Sequence, residues 1–287
     1  MSKTLRLIFP EWQGGMNPHY AQGSEILSKI VPQGKDCKVV EVPVSKDYHK
    51  KLSKSLEVAW GDDILEQQQV AYKILEQEQP DKILTLGGDC SVSQAPFDYL
   101  HGKYPNNTGI LWIDAHPDIS KPQNCPNEHA MVLGNLFGEG AEKISQVVKH
   151  KFKPSQVLYV GVIKDELLDY ETEYNKHYQI PILTPNEVLR NSDAIVEWLK
   201  VNNIDNLIVH FDMDVLTAED FRSLLYNEPH IPPVEYATGK LTLAQVVRII
   251  SDASKIAKLV GLTIAEYMPW DIINMRREFS KLEIFND

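Results

Sequence analysis

The sequence predicts an α/β fold built on a mainly parallel sheet, and three observations carry that reading. Short runs rich in Val, Ile and Leu recur at intervals that leave room for a helix between them. Several of these runs, such as 82–87 and 206–211, lack the polar alternation of a half-exposed strand, so both faces of the sheet are expected to be covered. The 287 residues lie at the upper end of what one hydrophobic core supports, and no Gly/Ser-rich linker, repeat or low-complexity tract divides them. The whole chain, 1–287, is therefore read as a single domain. Taken in order, seven strands are expected near 4–9, 38–44, 82–87, 109–114, 156–162, 207–213 and 258–265. Apolar residues at helical spacing predict helices over 62–78, 192–201 and 241–257, the last opened by Thr242 as a cap. Pro, Gly, Asn and acidic residues concentrate in 10–23, 117–130 and 217–239, which read as loops. In a parallel sheet, ligands bind beyond the carboxyl ends of the strands.

Composition narrows the function classes. Lys and Arg number 29 against 40 Asp and Glu, a net charge of −11, which argues against nucleic acid or an anionic membrane as partner. With 43% apolar and 24% charged residues the chain has the make-up of a soluble globule, without the ~18 consecutive apolar residues of a membrane span. Cys37, Cys90 and Cys125 form a sparse, odd set, and no cleavable apolar stretch follows Met1. A reducing, cytoplasmic location is expected.

The chemistry gathers at predicted strand ends. The run Gly109–Ile113 leads into Asp114-Ala-His116-Pro-Asp118, and Leu207–Phe211 into Asp212-Met-Asp214. Spacing by two puts side chains on one face of an extended segment, so each set can converge. Any one of these Asp residues also suits a turn or a helix cap. Four carboxylates crowded together would repel, whereas two divalent cations cancel their charge. Oxygen donors with one imidazole suit a fairly hard ion, with Mn²⁺ preferred over Mg²⁺ or Zn²⁺. Paired ions acidify a shared water and direct it at a trigonal carbon such as that of a guanidinium or formimino group.

The segments Gly87-Gly-Asp-Cys-Ser91, Asp114-Ala-His-Pro-Asp118 and Phe211-Asp-Met-Asp-Val215, in this order and at these separations, resemble the metal motifs of the arginase, agmatinase and formimidoylglutamase family, the ureohydrolases. The resemblance spans about residues 80 to 271. It implies a three-layer α/β/α sandwich, a soluble hydrolase of a small amidino or guanidino substrate, and two Mn²⁺ ions. On the same resemblance Asp114 and Asp212 bridge the ions, His116 and Asp214 complete one, and Asp118 and Cys90 the other. His129, in Asn127-Glu-His-Ala-Met131, matches the histidine that shuttles protons, with Asn127 contacting substrate; as a lone loop histidine it equally suits plain surface exposure. Glu266, in Thr263-Ile-Ala-Glu-Tyr267, matches the acid that binds the guanidinium, and equally reads as a solvated helix-start Glu. Asp118 joins His129 and Glu266 among the expected catalytic residues. Trimers or hexamers are implied.

This sequence also departs from the pattern. Cys90 stands where the family has a ligating histidine: a thiolate favours Zn²⁺, Fe²⁺ or Co²⁺, so that ion is expected to be weak, softer or absent. Cys90 also fits a small buried filler. A Cys90–Cys125 redox pair is the remote alternative. His210 shares parity with Asp212 and Asp214, as a hydrogen-bonded core histidine or one orienting Asp212. The segments Leu216–Leu225 and Val162–Glu166 replace the family's usual substrate loops, so arginine itself is not a safe substrate. The aromatic stretch Trp12–Tyr20 follows the first strand and is placed over the same end of the sheet. The competing functional reading is a metal-impaired relative with a binding or regulatory role. A phosphoesterase lacks the basic residues it would want near the motifs.

Overall fold

The β-rich runs become strands, the longer ones covered on both faces, in a computed structural model that describes residues 3–35 and 37–281. They are β1 (Thr4–Phe9), β2 (Cys37–Glu41), β3 (Lys54–Ser55), β4 (Val58–Ala59), β5 (Lys82–Gly87), β6 (Thr108–Ile113), β7 (Val157–Val160), β8 (Ile182–Leu183), β9 (Asn206–Asp212) and β10 (Lys258–Ala265). β3 and β4 make a small antiparallel hairpin. The other eight form one sheet in the order β2-β1-β5-β10-β9-β6-β7-β8. Every pairing within it is parallel. The expected count was seven; the eighth, β8, is a two-residue edge strand held by pairing Tyr159 with Ile182 and Val160 with Leu183, too short to leave a run of its own.

Pleating sorts each strand's residues between two cores. Ile110 and Trp112 of β6 join Ile208, Tyr159 and Leu7 on one face, beneath Ala71 and Leu75 of helix Gly61–Glu78 and Phe97 and Leu100 of helix Gln94–Lys103. Leu111 and Ile113 join Val209 and Leu158 on the other, beneath Leu199 of helix Asp193–Val201 and Ile249 of helix Leu243–Ser254. Those two layers of helices with the sheet between them give the expected sandwich. Thr242 caps its helix as predicted, accepting from the Gln245 amide at 3.3 Å while Gln245 Oε1 accepts from the Thr242 amide at 2.7 Å. The predicted loop 10–23 is shorter than expected, because helix His19–Ile30 begins inside it. Buried Arg6 ties down the far end of that helix by donating to the carbonyls of Ser28, Val31 and Pro32.

The last strand in sequence, β10, lies in the middle of the sheet, joining β5 to β9. β5, β10, β9 and β6 are therefore consecutive neighbours, and being parallel they bring their carboxyl ends to one rim. Among the described residues no helix is long and apolar enough to cross a membrane.

Candidate functional site

Each of these four strands delivers reactive residues to that rim. β5 runs into the tight turn Cys90–Ser93, β6 into Asp114–Asp118, β9 ends on Asp212 with Asp214 in the next turn, and Glu266 follows β10. Local hydrogen bonds shape the turns: Asp89 Oδ1 accepts from the Ser91 amide at 3.0 Å, and Asp212 Oδ1 from the Asp214 amide at 2.6 Å. Gly88 is stitched between two other segments, its amide donating to the Phe9 carbonyl at 2.9 Å and its carbonyl accepting from the Glu266 amide at 2.7 Å. A Cβ at position 88 would lie 1.6 Å from the Glu11 carbonyl oxygen, so only glycine allows this approach. Asp118 and Glu266 hold left-handed backbone, φ 44° and 64°. Such a conformation costs about 1–3 kcal/mol and collects at functional sites.

The two predicted Asp sets meet. His116 Nδ1 lies 2.8 Å from Asp214 Oδ2 and 3.7 Å from Asp114 Oδ1. The His116 amide donates to Asp114 Oδ1 at 2.7 Å, and the Ala115 amide to Asp214 Oδ1 at 3.2 Å. Asp114 Oδ2 accepts from the Trp112 indole at 2.9 Å. Cys90 Sγ donates to Asp212 Oδ2 at 2.8 Å and stands 3.4 Å from Glu266 Oε1. All five acids are buried, with Asp214, at 8% exposed, the most open. Their ion-pair partners among the described residues are histidines, with no Lys or Arg.

Burial and mutual repulsion set the electrostatics. Burial first, then the charge of Asp214, pushes the carboxyls of Asp114 and Asp212 well above the usual range; for Asp118 it is burial and then Asp114. Burial and the Asp212 charge likewise push the Cys90 thiol up. Burial is the largest single influence on Asp214 too, but the charge and hydrogen bond of His116, with the hydrogen bonds of Asp114 and the Ala115 amide, together outweigh it and hold that carboxyl low. His116 is raised to about 10 because, against burial, the charge and hydrogen bond of Asp214 favour its imidazolium. Excess negative charge with too few counter-charges is what divalent cations relieve. Among the groupings that bring ligand atoms within 4.8 Å of one another are Asp114, His116 and Asp214; Cys90, Asp114, Asp118 and His210; and Asp212, Asp214 and Glu266. Asp118 Oδ2 and His210 Nε2 are buried with no hydrogen-bond partner among the described residues. Unpartnered buried donor atoms of the right chemistry, pointing into acid clusters, fit a metal centre.

A second constellation adjoins the first. Glu266 Oε1 lies 2.8 Å from His129 Nδ1, and Glu266 Oε2 accepts from the Tyr20 hydroxyl at 2.8 Å. Burial is the largest single influence and works against a charged His129, but the hydrogen bond and charge of Glu266, joined by the charges of Asp89 and Glu128, together outweigh it and raise the imidazole above its ordinary value. Cys90, His129 and Glu266 also bring ligand atoms within 4.8 Å of one another. Asn127 sits half-buried just before the turn carrying His129, its amide donating to Cys125 Sγ at 3.4 Å. Cys90 and Cys125 are both free thiols.

Some participants escaped the sequence. Tyr20 reaches Glu266 across 246 positions, so nothing local to either betrays the contact; the sequence places the aromatic stretch Trp12–Tyr20 at this end and gives no one residue of it a role. Trp112 could have been found, since it shares parity with Asp114. The ring of His210 faces Ser93 and Asp114, with Nδ1 2.8 Å from Ser93 Oγ and Nε2 3.8 Å from Asp114 Oδ2. The Asp212 Oδ1 donor is instead the Asp214 amide. The loop 217–239 folds back on the rim: the Gly239 amide donates to the Asp214 carbonyl at 3.1 Å, and the Tyr236 ring lies 6.1 Å from that of His116.

Comparison with known proteins sets this geometry in context. The profile of a family described as "Arginase family" matches residues 33–272. The arginase of Entamoeba histolytica is 26% identical over 192 residues, 65% of this chain and 62% of that protein. The arginase of Staphylococcus aureus is 31% identical over 143 residues, 46% of this chain and 45% of its relative. The match thus spans less than two thirds of the length of these relatives. The crystal structure of the Entamoeba histolytica arginase in complex with L-ornithine superimposes with a TM-score of 0.79 at 20% identity, covering 94% of this chain and 92% of the other. That likeness establishes the shared fold.

Proposed function

The chain belongs to the arginase family, and on that premise we propose that it is a metal-dependent hydrolase cleaving a C–N bond of a small linear amidino or guanidino compound. The observation that carries this reading is the convergence at one rim of five buried acids whose ion-pair partners among the described residues are histidines alone. Asp114, His116, Asp118, Asp212 and Asp214, with Cys90, hold the ions. Divalent metal, when bound, supplies charge neutralisation and a water acid enough to ionise near neutral pH.

The remaining steps belong to the side chains. Glu266 offers a buried carboxylate to a planar cation, which a guanidinium or amidinium matches with paired N–H donors. Tyr20 fixes one of its oxygens and His129 the other, so the acid is oriented before substrate arrives. His129, with Nδ1 committed to Glu266, keeps Nε2 to carry a proton to the departing nitrogen. Its raised proton affinity suits a donor at neutral pH. Asn127 completes the substrate contacts. The altered 216–225 segment and the 217–239 loop over Asp214 and His116 favour a substrate whose side chain differs from that of arginine.

The test is a screen of arginine, agmatine, guanidinobutyrate and formiminoglutamate for urea or formamide release, with Mn²⁺, Zn²⁺ or Fe²⁺ added. Turnover of at least one, abolished by chelation, is expected. Silence in every combination overturns this reading in favour of a binding or regulatory role, which Cys90 in place of a ligating histidine would then explain.

A further inference from the structure

We propose that His210 is a metal ligand, so that the ion on the Cys90 side is held by Cys90, Asp114, Asp118 and His210, a soft set suited to Zn²⁺, Co²⁺ or Fe²⁺. The inference rests on the metal-hydrolase reading above and adds to it a ligand from a different strand. Cys90 leaves that side of the centre without the imidazole its place would otherwise supply. An imidazole returns from β9: the ligand atoms of these four residues all lie within 4.8 Å of one another.

Register explains how His210 reaches the spot. It pairs with Trp112 on β6 and Thr263 on β10, so its ring stands on the same face as Trp112, one step short of Asp114 and Asp212. The imidazole stacks on the Trp112 ring, centroids 3.8 Å apart and planes at 13°, with Phe97 edge-on at 6.5 Å. These contacts fix the ring plane. Ser93 Oγ, 2.8 Å from Nδ1, fixes the tautomer: when Nδ1–H donates to the hydroxyl, Nε2 presents a lone pair. Nε2 is fully buried and has no hydrogen-bond partner among the described residues, its distance of 3.8 Å to Asp114 Oδ2 being too long for one. Asp118 Oδ2, the other unpartnered buried atom of the group, belongs to the same set. One imidazole, one thiolate and two carboxylates make a four-ligand donor set of the kind zinc and its soft neighbours accept.

The test uses the metal-stripped full chain titrated with Co²⁺. Wild type is expected to develop a thiolate-to-cobalt charge-transfer band in the near ultraviolet together with intense visible bands of a four-coordinate ion, and Cys90→Ser to lose the former. His210→Gln should weaken cobalt binding at the thiolate position by at least about 10–100-fold and dim the visible bands, while the stripped variant keeps the circular dichroism of wild type. Ser93→Ala should weaken it by about 10-fold. Should His210→Gln fail to fold, zinc-loaded wild type labelled with nitrogen-15 histidine decides, because a coordinated Nε2 resonance shifts and an uncoordinated one does not. An unaltered cobalt spectrum and affinity in a folded His210→Gln, or an unshifted His210 Nε2, overturns the inference and leaves the hydrolase reading standing. Failure of wild type to take up any cobalt overturns both.

Discussion

Glu266 concentrates three interactions on one buried carboxylate: the Tyr20 hydroxyl, His129 and the Cys90 thiol. Hydrogen bonds to a charged group contribute about 1.5–3 kcal/mol each. Glu266→Gln, which removes the charge and disturbs both the Tyr20 and His129 contacts, is expected to cut kcat/KM by about 100-fold or more. Tyr20→Phe, losing a single donor, should cost about 10-fold, both read in the urea-release assay. Glu128, beside His129, makes a different prediction. Burial raises its carboxyl from an ordinary 4.5 to about 8. Between those pH values the folded chain holds a proton that the unfolded chain has released, so its contribution to stability is present in acid and lost as pH rises through the window. Glu128→Gln should flatten the fall, gaining on wild type by up to about 1.4 kcal/mol per pH unit across it in denaturant titrations. The acids at 114, 118, 212, 214 and 266 were legible because each follows an apolar run at a strand end. Tyr20 was not, since a phenol in an aromatic loop looks the same whether or not a distant acid awaits it.

Elements place those residues through a few close approaches. Gly88 threads the end of β5 between the chain after β1 and the start of Glu266. Gly88→Ala would drive a methyl group into the Glu11 carbonyl and force the three segments apart. A loss of about 1–3 kcal/mol or more in chemical denaturation is expected, with weaker metal uptake by calorimetry. Strands and helices with strong local signals were readable: the run 82–87 is β5 to the residue, and Thr242 announced the cap of its helix. Helix His19–Ile30 was hidden because its first turns carry Gly, Gln and Ser where an apolar stripe would be looked for. What stabilises it is tertiary: Ser24 Oγ donates to the Leu86 carbonyl at 2.8 Å, and Arg6 binds its last carbonyls.

Across the molecule, if the chain is the metal-dependent hydrolase proposed above, the charge of −11 and the uncompensated acids at the rim would make bound cations part of the stability of the folded chain. A ligand at 100 times its dissociation constant stabilises by about 2.7 kcal/mol. Chelation should therefore lower the melting temperature by several degrees, and divalent metal should restore it in scanning calorimetry. Parallel layering was legible from composition and spacing, but the order of strands was not, since nothing within 258–265 says which neighbours it will choose. That choice has a kinetic consequence. The sheet without β10 is two separate pieces, β2-β1-β5 and β9-β6-β7-β8, and the segment that welds them follows all the other described strands in sequence. The acids of β6 and β9 can assemble within the second piece as soon as it is synthesised. Cys90 waits on the first. Closing the gap needs contacts of long sequence separation, a slow event by the entropy of the loops involved. During refolding, metal affinity should accordingly arrive in two phases, early for the His116 side and late for the Cys90 side.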